Sequence, residues 1–166
     1  MWIAIVIIFI TLFARLIPHV PNFSPLVAVA LFSGVYLKKR YSFLIPLSII
    51  IFSDLIIGFH NTIIFTWGSV LLIYFLGKNL AKRKNLLTTV SYTLISSVLF
   101  FIITNFGVWL MGWYPRTAAG LLNCYIMAIP FFRTSLAANL IYVGIMFGIY
   151  EYFLLKKPVL LKQPLL

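Results

Sequence analysis

Long apolar stretches alternate with short clusters of basic residues along this chain. The longest stretch lies between Lys84 and Arg116, where thirty-one successive residues include no Asp, Glu, Lys or Arg. A helix needs about 20 apolar residues, at about 1.5 Å each, to cross the hydrocarbon core of a bilayer. The pattern therefore predicts a compact, all-α bundle of about six transmembrane helices, at residues 2–17, 24–37, 42–58, 62–77, 86–111 and 134–155.

Local signals mark some helix ends. Ser24 before Pro25 reads as an N-cap followed by proline at the first helical position, Pro46 falls in a first turn, and Asn61 can cap the fourth helix. No repeat of 20–50 residues occurs. We therefore expect a single transmembrane domain over residues 1–166.

Several early helices are short, with only about 14–17 residues, or roughly 20–25 Å. Their outer connections are expected to dip inward and to leave a cavity open to the outside, because irregular backbone at membrane depth must be packed in protein or line a wet cavity. Residues 112–133 are too apolar for an exterior loop and too interrupted by Gly and Pro for a regular span. They are predicted to form a re-entrant or interfacial segment before the last helix.

The composition and the charge distribution agree with a membrane protein. Hydrophobic residues make up 63% of the chain and charged residues 9%, against about 45–50% and about 25% in soluble proteins. A formal charge of +11 would suggest nucleic-acid binding in a soluble chain, but here the basic residues cluster between apolar segments and indicate topology, so no nucleic-acid partner is expected. Ten of them share one side of the predicted bundle: Lys38, Lys39, Arg40, Lys78, Lys82, Arg83, Lys84, Lys156, Lys157 and Lys162.

This asymmetry predicts that both termini are cytoplasmic and that the protein is multi-pass, with the lipid bilayer as its surroundings. The opposite side holds only Arg15, Arg116 and Arg133. Cys124 is the single cysteine, which excludes a disulfide within the chain and a four-cysteine metal site.

The chain has only two acidic residues. Asp54 lies inside a predicted span, where a carboxylate is costly and is a functional candidate by default. It either binds a ligand or ion, or pairs with one of the outer arginines. Glu151, near Lys156 and Lys157, is interpreted as an interfacial charge.

Two widely separated acids cannot form a carboxylate dyad, and no recognisable nucleophile–base arrangement occurs, so we expect no enzyme activity and no cofactor. His19, His60, Asp54 and Cys124 are possible metal ligands, but they lack the spacing of a known motif. No metal site is predicted, and the four side chains can equally be structural.

Many polar and aromatic residues fall in the outer half of the predicted bundle: Asn22, Asn61, Trp67, Asn105, Trp109, Trp113, Tyr114, Asn123, Tyr125 and Asn139. Trp and Tyr at this depth commonly form an aromatic belt, which accounts for Trp113 and Tyr114. Amides within apolar helices need hydrogen-bond partners, from neighbouring helices or from a bound polar molecule. The combination is typical of a small-molecule pocket.

The second helix carries small residues at helical spacing, among them Ala30 and Gly34. Small residues allow close helix approach in lipid. This face is a candidate surface for docking a partner, and the alternative is packing within the bundle.

Residues 15–25 read RLIPHVPNFSP, which resembles the R-x-x-P-H-x-P-N-F-S-P segment near the first helix of a family of small, uncharacterised bacterial membrane proteins. The later stretches FSDLIIGFH, NFGVW and WYPRTAAGLLNCYIMAIPFFR resemble the same family, so the resemblance covers most of the chain. In size and layout that family is similar to the substrate-binding S components of energy-coupling-factor vitamin transporters.

The resemblance implies a membrane subunit that binds a small molecule such as a vitamin from the outside and docks on a coupling membrane protein driven by ATPase subunits. The second helix, with Ala30 and Gly34, would be the docking face. The chain has no Walker A motif of its own. The implied substrate site comprises Asn22, Asp54, His60, Asn105, Trp109, Arg116 and Asn123. The alternative is a non-catalytic accessory or structural subunit of a larger membrane complex.

Overall fold

The computed structural model describes residues 2–16, 20–38 and 40–155. These residues form α-helices and turns and include no strand, which confirms the predicted all-helical fold. Six helices follow one another along the described chain: α1 Trp2–Leu16, α2 Leu26–Tyr36, α3 Leu44–Ile57, α4 Ile63–Leu80, α5 Leu86–Leu110 and α6 Ala118–Leu155. By length and composition α4, α5 and α6 can each cross a membrane, whereas α1, α2 and α3 are shorter apolar helices.

Helix α2 lies in the interior of the bundle. Every residue from Leu26 to Val35 is buried, and a Cβ added to Gly34 would overlap the carbonyl oxygen of Tyr74 and the backbone of Gly77 in α4. Ala30 on the same helix is 0% exposed. The face that the sequence offered to a docking partner is therefore occupied by α4, because two facing glycines let the backbones approach closely.

Two polar networks distinguish the ends of the bundle. Arg15, Asp54 and Trp67 form one of them, where α1 and α3 end and α4 begins, and we call this the Asp54 end. Tyr36, Lys84 and Glu151 meet where α2 and α6 end and α5 begins, which we call the Glu151 end.

The first and the last described residues of the chain both lie at the Glu151 end. Ile3 in the first turn of α1 and Phe153 near the end of α6 line the same apolar cavity. Lys39, Lys156, Lys157 and Lys162, which contributed to the predicted charge asymmetry, lie outside the described residues.

Residues 118–133 differ from the prediction. They form no separate segment before the last helix, but are the first part of α6, which runs unbroken from Ala118 to Leu155 with Pro130 inside it. The Thr117 hydroxyl accepts a hydrogen bond from the backbone N–H of Gly120 and so caps the helix. Gly120 is essential to this start, since a Cβ there would overlap the carbonyl oxygen of Pro115.

Contacts join α6 to α5 on both sides of Pro130. The Tyr125 hydroxyl donates to the Ile102 carbonyl (2.8 Å), and the Asn139 amide donates to the Ser97 hydroxyl (2.9 Å). Between them, the ring of Phe132 packs against that of Phe101, with 4.7 Å between the ring centroids. Pro130 removes one backbone donor, and α6 continues through it.

Candidate functional site

A buried ion pair holds three helices together at the Asp54 end. Arg15 of α1 donates one hydrogen bond to Asp54 (2.6 Å) and one to the Ser53 hydroxyl (2.7 Å) in α3. The other Asp54 oxygen accepts from the indole N–H of Trp67 in α4 (2.9 Å). The side chains of Asp54 and Arg15 are only 1% and 11% exposed. Of the three arginines weighed as partners of Asp54, Arg15 is the one that pairs with it.

Three adjoining cavities lie at the Asp54 end, and all three include residues of α5 or α6 in their walls. The central cavity has a volume of about 320 Å³. A second cavity, of about 470 Å³, includes Arg15 in its wall, and we call it the Arg15 cavity. A third, the His60 cavity, has a volume of about 410 Å³.

The central cavity shares wall residues with each of the other two. The central and Arg15 cavities have Asn22, Phe100 and Ser135 in common. The central and His60 cavities share Asn105, Val108, Ala128 and Phe131. Half of the residues that line the central and Arg15 cavities are polar, and the others are apolar or aromatic.

Asn139 presents an unpaired amide oxygen in the wall of the Arg15 cavity. The residue is 1% exposed, and its Oδ1 atom has no hydrogen-bond partner within the described chain. The orientation of the amide follows from its neighbour: Ser97 donates its only hydroxyl proton to the Thr93 carbonyl (2.8 Å) and can therefore only accept from the Asn139 NH₂ group. The Asn139 oxygen is therefore left without a donor among the described residues.

Ser24 adds a second unpaired polar atom to the same wall. The sequence predicted Ser24 as the N-cap of α2, but the N-cap is Pro25 and no side chain caps the helix. The neighbouring Asn22 has a left-handed backbone (φ 64°), a conformation that asparagine tolerates better than most residues. This turn points Asn22 into both the central and the Arg15 cavities.

The chain matches the model of a protein family of unknown function, DUF6580, over residues 1–160. It belongs to that family. The match spans all three cavities and both polar networks. No curated protein and no solved structure matches the chain.

The structure brings together only part of the predicted substrate site. Asn22 and Asn105 line the central cavity, and Asn105 and His60 line the His60 cavity. Asp54 lies outside the walls of these cavities, with both carboxylate oxygens engaged. Asp54 is linked to the site by its ion pair with Arg15, which lines the Arg15 cavity.

The remaining three predicted residues have other surroundings. The Trp109 indole donates to the Pro115 carbonyl (3.0 Å), and Arg116 donates to the Leu110 carbonyl (3.0 Å), so both stabilise the connection between α5 and α6. Asn123 is exposed. None of the three lines the cavities described above.

The candidate metal ligands are only partly assembled. His60 and Cys124 line the same cavity, where His60 bonds the Thr62 hydroxyl (2.9 Å) and the Cys124 thiol donates to the Asn105 carbonyl (3.4 Å). No group of three His, Cys, Asp or Glu side chains comes together among the described residues. His19 lies outside them.

Sequence reasoning did not include Asn139 and Ser24 in the site. Asn139 was recognised as an amide in need of a partner, but which of its two polar atoms lacks one depends on Ser97 and Thr93, which lie on another helix. Ser24 is predicted from the sequence as an N-cap, but its side chain does not cap α2. The property that could have identified both residues is that a buried polar atom needs a hydrogen-bond partner.

Proposed function

We propose that this protein binds a small molecule in the central and Arg15 cavities and serves as the substrate-binding membrane subunit of an uptake system. The observation that supports this most directly is the unpaired, buried amide oxygen of Asn139 in the cavity wall. Leaving such an acceptor without a donor costs about 1–3 kcal/mol. A bound molecule with an N–H or O–H group would recover that free energy.

The walls indicate the chemistry of the ligand. Four aromatic rings line the central cavity: Phe100, Phe101, Phe131 and Phe132. The polar atoms of Asn139 and Ser24 belong to the adjoining Arg15 cavity. A molecule with a flat, apolar part and a polar end with at least one hydrogen-bond donor fits this division, and a vitamin is one such class.

The charge distribution supports an outward-facing pocket. The Glu151 end carries Lys38, Arg40, Lys78, Lys82 and Arg83, beside the salt-bridged Lys84. Loops rich in Lys and Arg stay in the cytoplasm, so the Asp54 end, with its cavities, faces outward in a bacterial inner membrane. In this proposal α1, α2 and α3 also lie within the bilayer, which gives six spans.

An uptake role requires a source of energy outside this chain, because the sequence contains no Walker A motif. A coupling membrane protein with ATPase subunits would supply it. Since α4 covers Gly34 of α2 and Ala30 is fully buried, such a partner would have to use a different surface of the bundle.

The test is native mass spectrometry of the protein purified in mild detergent from its own membranes, with small molecules recorded on activation. We expect the wild type to release one discrete small molecule, and Asn139→Leu, which keeps the branching of the side chain and removes the acceptor together with the donor to Ser97, to retain about tenfold less, for a loss of about 1.4 kcal/mol. Asn79→Leu is the matched control, because Asn79 is exposed at the Glu151 end.

Ser24→Ala guards against a folding artefact of Asn139→Leu. The Ser24 hydroxyl has no partner, so its removal should leave the thermal stability of the ligand-free protein unchanged or higher, while ligand retention falls. Equal ligand content in all variants would refute the proposal. Stoichiometric co-purification of other membrane subunits, without any releasable molecule, would instead support an accessory subunit.

A further inference from the structure

A separate groove lies at the Glu151 end, between the first turns of α5 and the last turns of α6. It has a volume of about 360 Å³. Thr89 and Thr93 line one side, and Gly144 and Gly148 line the other. A Cβ added to either glycine would meet no heavy atom within 4 Å. The groove is therefore open where the two glycines lack side chains.

The length of the groove matches one leaflet of a bilayer. Its wall on α6 extends from Leu140 to Glu151, which is about 16 Å of helix, or about half of a hydrocarbon core of about 30 Å. The hydrogen bond between Asn139 and Ser97 closes the space between the helices just beyond Leu140. A transmembrane helix from a partner protein would need a groove as long as the full hydrocarbon core, whereas a lipid acyl chain needs only the length of one leaflet.

Two exposed basic residues directly precede Lys84, which lines the groove. Glu151 already bonds Lys84 and Tyr36, and Asp54, the only other acidic side chain of the chain, pairs with Arg15 at the opposite end. Lys82 and Arg83 consequently have no acidic side chain as a partner. The negatively charged group of another molecule can pair with them.

We propose that this groove binds one acyl chain of an anionic phospholipid, whose phosphate headgroup lies against Lys82 and Arg83. The apolar groove holds the chain, and the two basic side chains select the headgroup. This site is independent of the cavities at the Asp54 end.

The test compares phosphatidylglycerol with phosphatidylcholine of identical acyl chains, each added to the full-length, delipidated protein in detergent. Native mass spectrometry counts the lipids retained, and thermal unfolding measures stabilisation. We expect one tightly retained phosphatidylglycerol and a raised unfolding midpoint, with little effect of phosphatidylcholine. The double variant Lys82→Ala/Arg83→Ala should weaken phosphatidylglycerol binding about thirtyfold, or about 2 kcal/mol, at about 1 kcal/mol for each basic residue.

Substitutions that fill the groove test the acyl-chain contact. Gly148→Leu should abolish the retained lipid, and Gly144→Leu is the second variant in case the first fails to fold. Gly68→Leu is the matched control, since a Cβ on Gly68 of α4 also meets no heavy atom within 4 Å but Gly68 is not part of this groove.

Four results would overturn the proposal. Equal retention of the two lipids would refute headgroup selection, and a retained phosphatidylglycerol in both filled-groove variants would refute acyl-chain binding. Stabilisation by inorganic phosphate as large as that by the lipid would indicate an anion site without the groove. A monomer–dimer change in Gly148→Leu, with lipid retention unaltered, would assign the groove to a second copy of the chain.

Discussion

The two acidic side chains of this protein belong to salt bridges that differ greatly in burial. Asp54 is 1% exposed and its partner Arg15 is 11% exposed, whereas Glu151 is 42% and Lys84 26% exposed. Removing one partner of a buried pair leaves an uncompensated charge and typically costs about 3–5 kcal/mol. An exposed pair is screened and contributes about 0–1 kcal/mol. The same chemistry therefore has different consequences at the two ends of the bundle.

The first prediction concerns the Asp54 pair. Asp54→Asn should lower the free energy of unfolding in detergent by about 3 kcal/mol or more, because the Arg15 charge stays buried without its counter-charge. Glu151→Gln is the control at the exposed pair and should cost less than about 1 kcal/mol. Thermal unfolding of both variants measures the difference. Unchanged stability of Asp54→Asn, together with lost ligand retention, would mean that Asp54 acts on a ligand instead.

At the scale of single residues, the sequence predicted which polar side chains need a partner better than it predicted which partner each of them has. It identified Asp54 as a costly intramembrane carboxylate and named Arg15 among three possible partners. It could not select between them, because which arginine comes within 2.6 Å depends on how α1 packs against α3. Likewise, Trp109 and Arg116 are polar groups in the right part of the chain, but local turn geometry directs them to the Pro115 and Leu110 carbonyls instead of the cavities.

At the scale of helices, the closest contact in the bundle is between α2 and α4. Gly34→Ala should strongly destabilise the protein, because the new Cβ would overlap the Tyr74 carbonyl and the Gly77 backbone, neither of which can move without displacing α4. Gly68→Ala should be neutral or stabilise by up to about 1 kcal/mol, since its Cβ enters open space and alanine is the better helix former. Expression level and unfolding temperature are the measurements. Similar stability of the two variants would contradict the close α2–α4 approach.

The proline inside α6 gives the next prediction. Pro130→Ala should restore a backbone hydrogen bond and leave the stability unchanged or higher, while the added hydrogen bond shifts the course of α6 beside Phe131 and Ser135 in the cavity wall and weakens ligand retention. Unfolding temperature and the ligand released in native mass spectrometry measure the two effects separately. Ligand retention equal to that of the wild type would show that Pro130 does not shape the cavity.

Helix α6 is the element whose start the hydrophobic pattern did not predict. Apolar segments predicted the other five helices with bounds close to those observed, because each is flanked by polar turns. Residues 118–133 look interrupted, with Gly120 and Pro130 inside them, yet Gly120 is needed for contact with Pro115 and proline is tolerated in membrane helices when neighbouring groups satisfy the backbone. The need for Gly120 therefore depends on the folded connection between α5 and α6, which the hydrophobic pattern does not show.

At the scale of the whole molecule, charge asymmetry and helix alternation lead to one orientation. The Glu151 end collects the basic residues, and the cavities lie at the Asp54 end, so the first should face the cytoplasm and the second the exterior. The single cysteine makes this directly measurable. Cys124 is buried, and replacing it with alanine gives a background in which one new cysteine at a time can be placed at an exposed position.

In that background, Asn123→Cys at the Asp54 end and Lys82→Cys at the Glu151 end should react differently with a membrane-impermeant maleimide added to spheroplasts. Both positions are exposed, so after solubilisation in detergent both should label equally, which controls for intrinsic reactivity. With the membrane intact, only Asn123→Cys should label, because the proposed orientation puts Lys82 and the other basic residues of the Glu151 end on the cytoplasmic side. Labelling of Lys82→Cys alone would place the cavities on the cytoplasmic side. The protein would then bind molecules from the cell interior and not from outside.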